Sequence, residues 1–107
     1  MNIQHKIKIG RYEIETILVD DETILEIHQE DEPDANYPPE GLYRMRDAKI
    51  FVNQDQCEEQ RYSSWLHEVI EAGNFLRHIK LEHDQIIQLE GLLFDLGVTI
   101  QGVEDAK

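Results

Sequence analysis

Two spacings of hydrophobic residues divide the chain near position 53. Apolar and polar residues alternate in Ile3–Ile9 and again in Tyr12–Val19, which is the period of a half-buried β-strand. Gly10-Arg11 lies between these segments and fits a two-residue turn with glycine first. A shorter apolar run, Thr23–His28, follows an acidic turn and predicts a third, weaker strand. The first half is therefore predicted to be rich in β-structure.

The segment 30–41, EDEPDANYPPEG, contains all three prolines of the chain and is acidic. Proline clusters of this kind predict a loop, and this one is long enough to be mobile or to face a substrate. The following residues, Leu42–Asn53, predict another hairpin, of which the second arm, KIFVN, is the more convincing strand.

After residue 53 the spacing of apolar residues changes to that of an amphipathic helix, predicted over 54–79. Two pairs have the spacing of a helix start, a side-chain acceptor followed three residues later by Glu or Gln. These pairs are Asn53 with Gln56 and Asp55 with Glu58.

A break at Lys80–Glu82 separates this helix from a second one, predicted over His83–Leu96 and stopped by Gly97. The residues after it, Val98–Val103, are compatible with a last short extended segment. Together these elements predict an α+β fold in a single domain over 1–107, with a small antiparallel sheet followed by two packed helices.

Charge and composition limit the classes of function that this protein can have. The chain has 107 residues with 23 acidic and 10 basic ones, a formal net charge of −13. Such a surface repels phosphate backbones, which excludes direct nucleic-acid binding and suits a protein or peptide partner. No apolar run reaches the roughly 20 residues of a membrane-spanning helix. The single cysteine, Cys57, and the polar N-terminus predict a cytoplasmic protein.

The first helix contains a His-Glu pair, in the stretch WLHEVIEAGNFL. His67 and Glu71 are four residues apart, so a helix places them one turn apart on the same side, with room for one cation between them. Glu68 is rotated away from this pair but close enough to hold a metal-bound water. The same spacing also describes an ordinary surface pair worth a few tenths of a kcal/mol. A metal site therefore needs a third ligand from elsewhere.

The second helix has two candidates for that ligand. His83 and Glu90 both lie in the apolar stripe that should face the first helix. A glutamate there needs a partner, and Arg61, Arg77 or a tyrosine hydroxyl are the structural alternatives. His83 is preferred, because two imidazoles and one carboxylate with an open fourth position form the ligand set of many catalytic zinc sites. Glu90 would instead give a more anionic site that suits harder metals.

Residues 41–97 resemble the small phage-type and ImmA/IrrE-like zincin metallopeptidases. In that family a hairpin precedes a helix with His-Glu-x-x-His, and a second helix donates the third ligand. Here GLYRMRDAKIFVN is similar to the hairpin, QRYSSWLHEVIEA to the first helix and LEHDQIIQLEGLLFDL to the second. The resemblance implies that His67, Glu71 and His83 bind the metal and that Glu68 is the general base. Glu71 departs from the pattern, since it occupies the position of the second histidine.

Three functions follow from these observations. The first is a phage- or prophage-type metal-dependent hydrolase, a zinc metallopeptidase acting on a protein or peptide, in the host cytoplasm if phage-encoded. Its cofactor would be Zn²⁺ or another divalent transition metal. The second is a metal-binding relative without catalysis. The third is an acidic protein-interaction module, such as an inhibitor or a mimic of DNA charge.

Overall fold

The computed structural model describes residues 2–103, so both ends of the predicted 1–107 domain, Met1 and residues 104–107, lie outside the described residues. The strands are β1 (Lys6–Ile9), β2 (Tyr12–Val19), β3 (Gly41–Arg44) and β4 (Lys49–Asn53), and the helices are α1 (Asp21–Asp31), α2 (Glu58–Leu76) and α3 (His83–Asp95). The predicted α+β class is confirmed, including the two packed helices that follow the sheet. Within the described part of the chain, no helix is long and apolar enough to cross a membrane.

The four strands form one sheet in the order β1-β2-β4-β3. The two predicted hairpins are confirmed as antiparallel pairs, and Gly10 begins the first turn with a φ of 60°. The prediction of an entirely antiparallel sheet is wrong for one pairing, because β2 and β4 run parallel. Parallel neighbours need a crossover connection, and here the connection contains α1.

The predicted third strand, Thr23–His28, is wrong, because these residues lie inside α1. The acidic residues that were predicted to form a turn instead form the start of this helix. The side chain of Asp20 accepts a hydrogen bond of 2.8 Å from the backbone N–H of Thr23, and two more acidic residues lie in the first turn. Both features stabilise a helix N-terminus. Ile24 then points into the core and is fully buried.

Helix α2 is shorter than predicted and begins at a different cap. Cys57 occupies the N-cap, so neither pair proposed from the sequence starts the helix. The side chain of Asn53 instead accepts from the backbone N–H of Asp55 at 2.9 Å, and the Gln56 amide donates to the carbonyl of Asn53 at 2.8 Å. These bonds form a local turn between β4 and α2, a use of Asn that competes with helix formation.

The core lies between one face of the sheet and α2. Trp65 and Leu66 are fully buried there against isoleucine and valine side chains of β1, β2 and β4. The indole N–H of Trp65 donates a 2.8 Å hydrogen bond to the hydroxyl of Thr16, so the buried polar atoms of both residues are paired. This packing fixes the rotation of α2 about its own axis and thereby decides which side chains face away from the sheet.

The connection between α2 and α3 spans residues 77–82. His78 and Lys80 have φ angles of 52° and 68°, in the left-handed region that ends a helix. The side chain of Asn74 fastens this connection, since it accepts from the N–H of Leu81 at 2.8 Å and donates to the carbonyl of Leu81 at 3.2 Å. Glu82 and Gln85 then form a capping box at the start of α3. The predicted end of this helix is confirmed by Gly97, which has a φ of 67°.

Candidate metal centre

Helix α2 positions two of the predicted ligands, His67 and Glu71. Their neighbours Leu66 and Ala72 are fully buried against the core, so both ligands lie at the boundary between core and solvent, as the helical spacing predicts. The side chain of His67 is 18% exposed. A position of this kind keeps an imidazole fixed while one side of it stays open.

The third predicted ligand, His83, is the first residue of α3 and is exposed. The connection described above returns the chain so that the ring of His83 meets that of His67. Their centroids are 5.4 Å apart and the rings are inclined at 72°. One ligand atom from each of His67, Glu71 and His83 lies within 4.8 Å of the other two. The structure therefore brings together all three residues that the sequence nominated.

The donor set fits a zinc ion. Nitrogen and oxygen ligands bind zinc at about 2.1 Å, so two ligands of a tetrahedral site lie roughly 3.4 Å from each other. The three atoms here need to approach one another by at most about 1.4 Å to reach that spacing. Two imidazoles and one carboxylate leave a fourth coordination position for water or substrate.

Glu90 contacts His67 directly. Its Oε1 lies 3.0 Å from Nδ1 of His67, and its Oε2 accepts a 2.6 Å hydrogen bond from the hydroxyl of Ser63. Neither Arg61 nor Arg77 is the partner: Arg61 donates to the carbonyls of residues 54 and 56 instead. A carboxylate at Nδ1 holds the proton on that nitrogen and leaves the lone pair of Nε2 for a metal. Glu90 thus orients the imidazole of His67, and His83 is the third residue of the group that could hold a metal ion.

The hydrogen bonds that connect Ser63, Glu90 and His67 also exclude Ser63 as a nucleophile activated by this histidine. In such sites the hydroxyl donates to the imidazole, which removes its proton. Here the hydroxyl of Ser63 donates to the carboxylate of Glu90, while the imidazole of His67 contacts the other carboxylate oxygen. Ser63 therefore fixes Glu90 and is not activated by it.

Glu68 lies beside the ligands under the start of β3. A Cβ at Gly41 would lie 2.9 Å from Cγ of Glu68 and 3.2 Å from the carbonyl oxygen of Ser64, so only glycine allows this close approach. The backbone N–H of Tyr43 donates to the Glu68 carboxylate. The alternating register of β3 against β4 directs this N–H away from β4, toward the outer edge of the sheet. The sheet edge therefore faces the site.

The pKa of the Glu68 carboxyl is raised to about 7. Removal from water is the largest cause, and the negative charges of Glu71 and Glu90 act in the same direction. The charge of His67 and the N–H of Tyr43 oppose this rise. A bound cation would also lower the pKa, since it favours the carboxylate. A carboxyl group tuned to this range is suited to exchange protons near neutral pH.

A pocket of about 360 Å³ opens next to these side chains. It is lined mainly by polar residues, and its apolar wall comes from α3. The lining residues are Glu40, Gly41, Gln60, Ser63, Ser64, His67, Glu68, His83, Ile87 and Glu90. A part of a substrate bound in this pocket would touch His67, His83 and the carboxylate of Glu68.

Comparisons with protein-family models, with curated proteins and with solved structures found no match to this chain. The resemblance to small zincins stays a prediction that rests on the motif, and the geometry of the site is independent of it.

Three features of the site were not predicted from the sequence. The contact between Glu90 and His67 was not foreseen, although a glutamate in an apolar stripe signalled that a partner was needed. Ser63 lies four residues before His67 and so on the same side of α2, which was the available clue to its role. The close approach of Gly41 to Glu68 had no signal in the sequence, because it depends on how β3 lies against α2.

Proposed function

We propose that this protein is a metal-dependent hydrolase of the zincin type, with zinc held by His67, Glu71 and His83. The observation that carries the proposal is the convergence of these three side chains, of which His67 and His83 line an open pocket together with Glu68. A zinc ion in such a site acts as a Lewis acid and lowers the pKa of water toward neutrality. A cytoplasmic location and a protein or peptide substrate belong to the same proposal.

Side chains near the proposed zinc site would have separate roles. Glu68, which the N–H of Tyr43 contacts, would accept a proton from water activated by such an ion. The carboxylate of Glu90 contacts Nδ1 of His67 and would favour the proton on that nitrogen, which would leave Nε2 available to hold a zinc ion. The outer edge of β3 lies next to Glu68, where an extended peptide can meet backbone groups of the strand.

Glu71 modifies the expected reactivity. A carboxylate in place of an imidazole adds negative charge to the ligand set and weakens the Lewis acid. We therefore expect slow or specialised hydrolysis near neutral pH. The same residue favours a second candidate function, a metal-binding protein without catalysis.

Two variants test the proposal on purified protein. Replacing His83 by alanine removes one of three ligands and should abolish stoichiometric zinc in elemental analysis. Glu68→Gln should keep the zinc of the wild type and lose cleavage of a casein or pooled peptide substrate. Zinc in the wild type without any cleavage would favour the non-catalytic candidate. A wild type that takes up no transition metal would refute both and leave the acidic interaction module.

A further inference from the structure

Glu40 is a charged residue of the pocket that has no part in the metal chemistry described above. Its carboxylate accepts a 3.1 Å hydrogen bond from the side-chain amide of Gln60 on α2. Its carbonyl oxygen accepts from the N–H of Asn53 and from the amide of Gln56, both at 3.0 Å. The hydroxyl of Ser64 connects the two glutamines, since it contacts Gln60 at 3.4 Å and Gln56 at 3.1 Å.

The backbone on both sides of Glu40 is also restricted. Pro38 and Pro39 precede it and limit the rotation of the chain. Gly41 follows it and is pressed against Glu68 and Ser64. Glu40 is exposed, yet the amide of Gln60 holds its carboxylate at the pocket. Its position relative to Glu68 is therefore set by the fold.

The carboxylate of Glu40 has a different kind of partner from the other carboxylates of the pocket. Glu90 faces the imidazole of His67, and Glu68 faces that imidazole and the N–H of Tyr43. The amide of Gln60 that contacts Glu40 is neutral, so it orients the carboxylate without compensating its charge. A negative group held in this way attracts a cation that enters the pocket.

The pocket also offers an apolar surface. Ile87 of α3 lines it and is 48% exposed, a large fraction for an isoleucine next to a charged site. Lysine and arginine side chains combine an apolar stem with a cationic head, and they cover apolar surface while the head reaches a polar partner. Ile87 and Glu40 together match this combination.

We propose that the pocket accepts a lysine or arginine side chain of the substrate beside the hydrolysed bond, and that Glu40 determines this specificity. The inference rests on the proposed function, because it assigns a substrate class to the same site. Arginine is the better fit, since its guanidinium group can donate two parallel hydrogen bonds to one carboxylate.

Three peptide hydroxamates that differ only in the side chain next to the chelating group provide the probes. They carry arginine, leucine or glutamate there, and their binding to the zinc-loaded protein is measured by isothermal titration calorimetry. The hydroxamate group binds zinc in all three, so the leucine probe reports on the metal site alone. We expect the arginine probe to bind about tenfold more tightly than the leucine probe, which corresponds to about 1.4 kcal/mol. The glutamate probe should bind more weakly than both.

Variants of Glu40 test whether this residue is the source of the preference. Glu40→Gln should remove the difference between the arginine and leucine probes and leave leucine binding unchanged. Glu40→Lys should reverse the order and favour the glutamate probe. Glu59→Gln is the matched control, because Glu59 is exposed in the first turn of α2 and does not line this pocket. It makes the same change in net charge and should keep the preference.

The outcomes separate this inference from the proposed function. Equal binding of the arginine and leucine probes to the wild type would overturn the role of Glu40 and leave the metal site intact. The same would follow if Glu59→Gln reduced the preference as much as Glu40→Gln, because the overall negative charge would then be its source. If no hydroxamate bound to protein incubated with zinc, the proposed function would fail and the inference with it.

Discussion

Replacing Glu90 by glutamine removes the negative charge that Nδ1 of His67 contacts at 3.0 Å and keeps the shape of the side chain. The glutamine oxygen can still accept from Nδ1, and its amide can donate to the hydroxyl of Ser63. The imidazole therefore keeps its position, while the nitrogen that is proposed to bind the metal becomes less basic. We expect weaker zinc binding without a change of fold.

The magnitude follows from the type of contact. A hydrogen bond to a charged group contributes about 1.5–3 kcal/mol, and the glutamine variant keeps the neutral part of it. The side chains of His67 and Glu90 are 18% and 19% exposed, so solvent screens their interaction only in part. We expect a loss of about 1.4 kcal/mol, or tenfold in affinity, at the lower end of the 10- to 100-fold effects of residues that support metal ligands.

Competition with a chromophoric zinc chelator measures this change on purified protein. Glu59→Gln again serves as the control, because it removes one negative charge from an exposed position away from the site. Ser63→Ala should have a smaller effect in the same direction, since Ser63 only holds Glu90. An affinity of Glu90→Gln within about twofold of the wild type would show that Glu90 does not tune a metal ligand.

Two further changes test the packing around the site and the start of α1. Gly41→Ala places a methyl group 2.9 Å from Cγ of Glu68 and 3.2 Å from the carbonyl of Ser64, so it should destabilise the fold by about 1–3 kcal/mol in urea unfolding; an unchanged midpoint would contradict the close approach. Hydrogen bonds from Thr23 lower the pKa of Asp20, so its charged form stabilises the folded state above its unfolded pKa of about 3.9, and this contribution is lost as the pH falls through the lower folded-state value. Asp20→Asn keeps a capping oxygen but does not titrate. The stability advantage of the wild type over this variant should therefore shrink as the pH falls from roughly 6 to 3. Parallel pH profiles of the two proteins would exclude this role.

The sequence predicted those elements whose pattern is local and long. The hairpin at Gly10 and the helix end at Gly97 follow from glycine at positions that need a positive φ. The core-facing side of α2 follows from its apolar spacing over several turns. The prediction of a strand over Thr23–His28 was wrong, because a six-residue apolar run fits either a strand or a helix. The acidic residues before it are compatible with a turn as well as with a helix cap.

The candidate site was predictable to a similar degree. His67 and Glu71 follow from a spacing of four residues, which any helix converts into neighbours. His83 required the assumption that two helices pack in one register, and the structure places it as assumed. The parallel pairing of β2 and β4 and the contact of Glu90 with His67 connect residues far apart in the chain. Local patterns carry no information about such pairs, because they depend on the tertiary arrangement.

The clamp of Asn74 on Leu81 has a consequence for how this chain can change length. Surface connections usually tolerate added or deleted residues. Between Asn74 and Leu81 an inserted residue must fit inside a segment tied at both ends, and His83 follows only two positions later. Chains that keep the group of His67, Glu71 and His83 should therefore keep the length of this connection, even where its amino-acid composition changes.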